Sequence, residues 1–337
     1  MVMTEPMPIT VLGAGAFGTA LAIQLTRRGA PGFLWGRDAT TMATIDESRE
    51  NIRYLKGIAL PAKLVATSDL AHAVRESGDI VISTPSPTLR ETCERLAPLL
   101  RADQGIACAA KGLEPGTGRL AHEVIGDVLG ADRLIAVISG PTFAKELGLG
   151  LPTSVTVAAN DPGFAERMAL RFHGDGFRAY TSSDLVGVEI GGAAKNVLAI
   201  AVGIADGLGL GANTRAAMIT RGLNEITRLA TALGAEPGTL MGLAGLGDLV
   251  LTCTDNQSRN RRYGLQLGEG ASPEQAKAAI NGVVEGVRAA PEVLRLAARL
   301  GVEMPLHEMA GAVIAGTISP IEAVKRLAER PQRAELG

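Results

Sequence analysis

Cysteine is scarce: Cys93, Cys108 and Cys253 are the only three in 337 residues, far apart, odd in number and without a CxxC pair. That pattern predicts neither a disulfide framework nor a zinc site, and a reducing cytoplasm suits it best. The four histidines, His72, His122, His173 and His307, lack metal-ligand spacing, so no metal is expected and they read as surface or satisfied core residues. Aromatics make up 3% of the chain, which argues against stacking platforms for single strands, and the net charge of -2 supplies no global basic field. Nucleic acid is therefore not an expected partner. Met1–Pro8 has neither a basic nor an apolar leader region, and reads as no signal peptide. The most apolar later stretch, Val197–Ala212, is short and interrupted by Asp206 and glycines, so no membrane span is expected and the protein reads as soluble.

Hydrophobic residues are 46% of the sequence, ample for two cores, and the length suggests two domains. Short apolar runs at Ile9–Leu12, Phe33–Trp35, Ile80–Thr84, Ile106–Ala110, Leu134–Ser139 and Ser154–Ala159 read as buried strands. Helical stretches lie between several of them, at Phe17–Arg28, Thr88–Leu100 and Arg119–Leu129. Alternating strands and helices predict a parallel sheet covered on both faces. Beyond Leu185 only helical patterns remain, at Gly187–Ala205, Thr214–Leu233, Pro273–Ala279 and Glu285–Leu300, with Gly-rich breaks between. The expected class is α/β: a Rossmann-type doubly wound domain over residues 1–184, which binds a dinucleotide, then an all-helical domain over 185–337, which carries substrate binding and catalysis.

Gly13-Ala14-Gly15-Ala16-Phe17-Gly18 is a GxGxxG motif directly after a strand and at the start of a helix. Gly13 makes the tight turn, Gly15 lets backbone approach a pyrophosphate, and Gly18 permits close packing of helix on strand. At the end of the second strand, Arg37 could pair with a ribose 2′-phosphate, whereas Asp38 lies one position late for the ribose and could equally be a turn or N-cap residue. NADPH is expected to serve at least as well as NADH.

Lys195 stands in Val188–Gly203, a stretch so apolar on all sides that its helix should be buried. A lysine there must be paired, titrate low or snorkel to the helix surface; reaching a range of roughly 7–8 costs about 3–4 kcal/mol. Lys111 follows a strand, where the C-terminal edge of an open sheet binds ligands; it is either a compact, mobile ammonium for a phosphorylated or carbonyl substrate or a solvated loop lysine. Ser139–Ala144 has the same strand–turn–helix plan and could offer its amides to a ligand or be a plain joint. Asp248 could hold the Lys195 ammonium or open a helix. Ser258-Arg259-Asn260-Arg261-Arg262 is the densest basic cluster, either a phosphate site or a solvated face. Glu285 reads as a first-turn helix residue.

The segments GAGAFGTALA, AAKGLE, AVISGPTFAKE, GGAAKNVLAI, MGLAGLGDLVLTCTDNQSRNRR and VVEG, in that order, resemble the bacterial NAD(P)-dependent glycerol-3-phosphate dehydrogenase family over nearly the whole chain. The resemblance implies reversible reduction of dihydroxyacetone phosphate to glycerol 3-phosphate, which feeds phospholipid synthesis, with NADPH or NADH as cofactor. It implies Lys195 as proton donor and acceptor, and substrate contacts from Lys111, Gly140, Thr142, Lys195, Asp248, Ser258, Arg259 and Asn260. Cofactor contacts follow for Ala16, Phe17, Arg37, Lys111, Ala144, Arg259, Val283 and Glu285, beside the Gly13, Gly15 and Gly18 turn. A cytoplasmic homodimer is expected on the same ground. Two rivals remain from the residues alone: a hydroxyacid dehydrogenase of similar plan, whose arginines would bind carboxylate, and a non-catalytic NADP(H) sensor, which would need no buried lysine.

Overall fold

The computed structural model describes residues 7–280 and 282–332. Most of Met1–Pro8, on which the leader reading rests, lies outside them. The chain forms two compact units, residues 1–110 with 121–185, and residues 111–120 with 186–337. In the first, elements run β1 (Ile9–Leu12), α1 (Ala16–Thr26), β2 (Gly32–Trp35), α2 (Ala39–Ser48), β3 (Leu64–Thr67), α3 (Leu70–Glu76), β4 (Asp79–Ile82), α4 (Leu89–Leu96), β5 (Gly105–Cys108), α5 (Ala121–Leu129), β6 (Ile135–Ser139), α6 (Ala144–Leu149), β7 (Thr153–Ala159), α7 (Pro162–Phe172) and β8 (Phe177–Ser182). The sheet order is β3-β2-β1-β4-β5-β6-β7-β8, doubly wound about the β1/β4 switch.

The inner strands β1, β4, β5 and β6 are buried along their whole length, which is why they read as unbroken apolar runs. The expectation of a wholly parallel sheet is corrected at β7, which pairs antiparallel with β6 while β8 runs parallel to β7. The two edge strands carry no such run: β3 alternates buried and exposed residues, and β8 exposes much of Phe-Arg-Ala-Tyr-Thr-Ser. The sequence reading assigned neither.

The second unit holds α8 (Leu185–Gly207), α9 (Gly211–Ala232), α10 (Pro237–Leu240), a π turn (Leu243–Gly247), α11 (Asp248–Thr254), α12 (Arg259–Gly268), α13 (Pro273–Ala279), α14 (Glu285–Leu300), α15 (Pro305–Ile314) and α16 (Pro320–Ala328). Helix α8 is the axis of its core. By length and composition it could cross a membrane, but 89% of its apolar stretch is buried inside this chain, the state of a core helix. Residues 111–120 join this unit rather than the sheet, because Leu113 and Leu120 bury in the helical core and Glu292 of α14 accepts the Gly116 N–H at 3.1 Å.

Candidate active site

In the first unit the Gly turn is built as its spacing requires. Gly13 adopts a positive φ of 112°, and a Cβ there would meet the Ser83 carbonyl carbon at 2.9 Å, so backbone from the ends of β1 and β4 passes too closely for a side chain. At Gly18 a Cβ would lie 1.9 Å from the Gly13 carbonyl oxygen, whereas at Gly15 it would meet nothing within 4 Å. Gly15 is the N-cap of α1 and offers no side-chain cap to the first N–H groups of this helix. An open cradle at a helix N-terminus with no acidic residue in its first turn fits a pyrophosphate. Gly18→Ala should cost about 3 kcal/mol, the upper end for an overpacked site, because the obstacle is backbone. It should also weaken NADPH binding; urea unfolding and a fluorescence titration check both.

Arg37 is exposed just past β2. Asp38 takes the capping role left open by its position: its carboxylate accepts the Thr41 N–H at 2.7 Å and opens α2. Gly140 sits at a φ of 152° against Val155, and Thr142 donates to the Gly140 carbonyl at 3.2 Å. Helix α6 starts at Ala144 with Phe143 as N-cap, so Pro141 lies in the turn and not at its first position.

The second unit gathers the titratable residues. Lys195 is 5% exposed and Asp248 1%. Asp248 lies between two ammonium groups: one carboxylate oxygen pairs with Lys195 and the other with Lys111 at 2.7 Å. Thr252 sits one turn beyond Asp248 on α11; its hydroxyl accepts from Lys195 Nζ at 2.8 Å and donates to the Asp248 carbonyl at 2.6 Å. Burial brings the Lys195 pKa down from 10.5 to about 8, against the pull of Asp248 and with help from the neighbouring Lys111 charge. Burial also penalises the Asp248 carboxylate, but Lys111 and Lys195 together outweigh it and hold its carboxyl below the usual range. Burial pushes the Cys253 thiol up to about 12, so it stays neutral beside this pair. The result is a lysine that exchanges protons near neutral pH, with two of its three N–H bonds committed and one left over. The sequence reading did not single out Thr252; its only signal was the four-residue spacing from Asp248 on one helix.

The basic cluster divides. Ser258 is the N-cap of α12 and accepts the Arg261 N–H at 3.2 Å. Arg259 and Arg262 are exposed. Arg261 instead turns inward, pairs with Asp206 of α8 at 2.6 Å and contacts Asn256, which braces α12. Asn260 donates to Asn196 Oδ1 at 2.9 Å and accepts the Gly286 N–H at 2.9 Å, tying α12 to α8 and α14. Gly286 permits that approach, since a Cβ there would meet the Asn196 carbonyl oxygen at 2.5 Å. Glu285, in the first turn of α14 as read, has its carboxyl pushed up by burial, partly offset by Arg288 and Arg259. Val283 is half-buried two residues earlier. Among the described residues, no three His, Cys, Asp or Glu side chains could hold a metal ion.

Residues 8–165 match the NAD-dependent glycerol-3-phosphate dehydrogenase N-terminus and residues 184–325 match the C-terminus of the same family. An NAD(P)+ glycerol-3-phosphate dehydrogenase of Stenotrophomonas maltophilia is 54% identical over 97% of this chain and 96% of its own length. One of Xanthomonas campestris pv. campestris is 53% identical over 99% and 98%. The crystal structure of glycerol-3-phosphate dehydrogenase from Coxiella burnetii superposes with a TM-score of 0.93 at 45% identity, over 97% of this chain and all of that one. With a Gly turn shaped for a dinucleotide in one unit and a low-titrating buried lysine in the other, the chain belongs to the NAD-dependent glycerol-3-phosphate dehydrogenase family.

Proposed function

We infer that this chain catalyses the reversible, NAD(P)H-dependent reduction of dihydroxyacetone phosphate to glycerol 3-phosphate, the precursor that phospholipid synthesis consumes. The observation that carries the chemistry is Lys195, buried, lowered to about 8 and joined to Asp248, Lys111 and Thr252. The bound nicotinamide supplies or accepts the hydride. Lys195 as ammonium gives its proton to the developing alkoxide, and as amine takes the hydroxyl proton in the reverse direction. Asp248 and Thr252 hold Nζ so that its remaining N–H meets the reacting oxygen, and Lys111 polarises the same end.

The substrate phosphate is assigned to Ser258, Arg259 and Asn260. Arg259 is an exposed guanidinium at the first position of α12, and Ser258 keeps its hydroxyl proton for a ligand because its oxygen already accepts from Arg261. Gly140 and Thr142 complete the substrate contacts. Gly13, Gly15, Ala16, Phe17, Gly18 and Arg37 hold the dinucleotide, with Lys111, Ala144, Arg259, Val283 and Glu285. The division proposed is a dinucleotide-binding part, residues 1–184, and a substrate-binding and catalytic part, residues 185–337. The three free cysteines, all buried, suit a cytoplasmic enzyme, and a homodimer is the assembly proposed.

The test is the loss of reduced-nicotinamide absorbance when the protein meets dihydroxyacetone phosphate with NADPH and then with NADH. Oxidation supports the reaction, and the ratio of the two rates measures what Arg37 contributes; no oxidation by folded protein removes the substrate assignment. Arg259→Ala should raise KM for dihydroxyacetone phosphate roughly 10- to 100-fold, the worth of a charged hydrogen bond. An unchanged KM takes Arg259 out of the phosphate site.

A further inference from the structure

The turn of α8 that carries Lys195 reads Gly191-Gly192-Ala193-Ala194, followed by Lys195 and Asn196. Helices fix their rotation and slide through side-chain ridges set into a neighbour's grooves, and this turn has almost none. Its polar contacts must therefore supply the register. On one side of Lys195, Asn196 is held by Asn260 of α12. On the other side the holder is His307 of α15, which is 0% exposed.

His307 Nε2 lies 3.3 Å from the carbonyl oxygen of Ala194, the residue immediately before Lys195. The other nitrogen, Nδ1, lies 2.7 Å from Glu225 Oε2 of α9. Ala194 offers a carbonyl and Glu225 a carboxylate, both acceptors, so the ring bridges them by donating from both nitrogens. Glu225 also accepts the backbone N–H groups of Leu306 at 2.9 Å and His307 at 3.3 Å, and so closes the N-terminus of α15, whose N-cap Met304 offers no side-chain bond. One buried carboxylate thus anchors both the helix that bears His307 and its ring. The chain of contacts runs from α9 through α15 to the backbone of α8 beside the lysine.

We propose that His307, anchored by Glu225, is a positioning residue that holds the Ala194 carbonyl and thereby aims Lys195 at the reacting oxygen. This rests on the reading of Lys195 as the proton donor. Substitutions separate the two nitrogens. In His307→Gln the amide can still donate from the place of Nε2 to Ala194, while in His307→Asn it replaces only Nδ1 and serves Glu225.

The experiment measures kcat and KM for both variants, normalised to NADPH-binding sites, together with Lys195→Met and the Lys195→Met/His307→Asn double variant. A displacement of about 1 Å can cost up to roughly 100-fold in rate. His307→Asn is accordingly expected to lower kcat about 10- to 100-fold with KM within about twofold, and His307→Gln to stay within about threefold of the parent. On the Lys195→Met background His307→Asn should add no further loss, because the two act as one unit. Equal kcat in the two single variants, a KM that moves with kcat, or an additive double variant overturns the proposal. Near-normal turnover of Lys195→Met would instead overturn the reading on which it rests. Should His307→Asn not accumulate folded, His307→Met/Glu225→Gln, which leaves no unpaired buried charge, is expected to show the same kcat loss, and its retention of kcat overturns the proposal equally.

Discussion

Lys195→Met is expected to lower kcat for dihydroxyacetone phosphate reduction by about three to four orders of magnitude, the upper range of general acid catalysis, while NADPH affinity stays nearly unchanged. Methionine keeps most of the lysine's volume in the α8 core, and Asp248 retains Lys111 at 2.7 Å, so the loss falls on chemistry rather than on folding. The pH dependence of the parent enzyme follows from the same residue. Reduction needs the ammonium, so reductive kcat/KM should be full below and fall as pH rises through about 8; oxidation of glycerol 3-phosphate needs the amine and should rise through about 8. A phosphate dianion beside the lysine favours the ammonium, so the limb seen in kcat, which reports the complex, should lie at higher pH than that in kcat/KM. Pre-steady-state and steady-state rates across pH check both limbs. A Lys195→Met enzyme that turns over normally, or limbs of the opposite sense, would exclude Lys195 as the proton donor.

Asp248→Asn should show the second large effect, on rate and on stability together. It removes the carboxylate between two ammonium groups and leaves the buried Lys195 and the half-buried Lys111 as like charges. Losing one member of a buried charge group costs about 3–5 kcal/mol, because the partners are left uncompensated. The pull of Asp248 keeps the Lys195 pKa from falling further, so its removal should move the alkaline limb of reductive kcat/KM to lower pH. Rate at neutral pH should drop about 100-fold or more, as fewer molecules carry the proton and Nζ loses its anchor. Urea unfolding and the pH–rate profile read the two parts separately. An unmoved limb in a stable variant would show that Asp248 does not govern the lysine.

The inner half of the sheet was legible because its strands are buried on both faces and can tolerate little but apolar residues. The edge strands β3 and β8 were not, since one-sided burial lets Lys63-Leu64-Val65-Ala66-Thr67 and Phe177–Ser182 look like loop. Helix α2 was missed for a similar reason: only Met42 and Ile45 of its ten residues are buried, too few to make a period. Lys195 was the most legible site residue, because a lone charge in an apolar helix conflicts with everything around it. His307 read only as a surface or satisfied core histidine, and nothing in its neighbourhood along the chain hints at Ala194, 113 positions away.

By itself the sequence determined the α/β domain with its Gly turn, the helical domain, and the presence of a lysine in an apolar helix that had to be paired or titrate low if buried. These follow from local facts: apolar periodicity, glycines where backbone must pass backbone, and the cost of burying a charge. Tertiary structure alone decided which partners meet that lysine. It placed Lys111 with the helices, because Leu113 and Leu120 bury in that core, and set Asp248 between the two lysines. It also turned Arg261 inward while leaving Arg259 outside. Those choices depend on which faces of distant helices come into register, and a hydrogen bond or ion pair between them leaves no periodic trace in the chain.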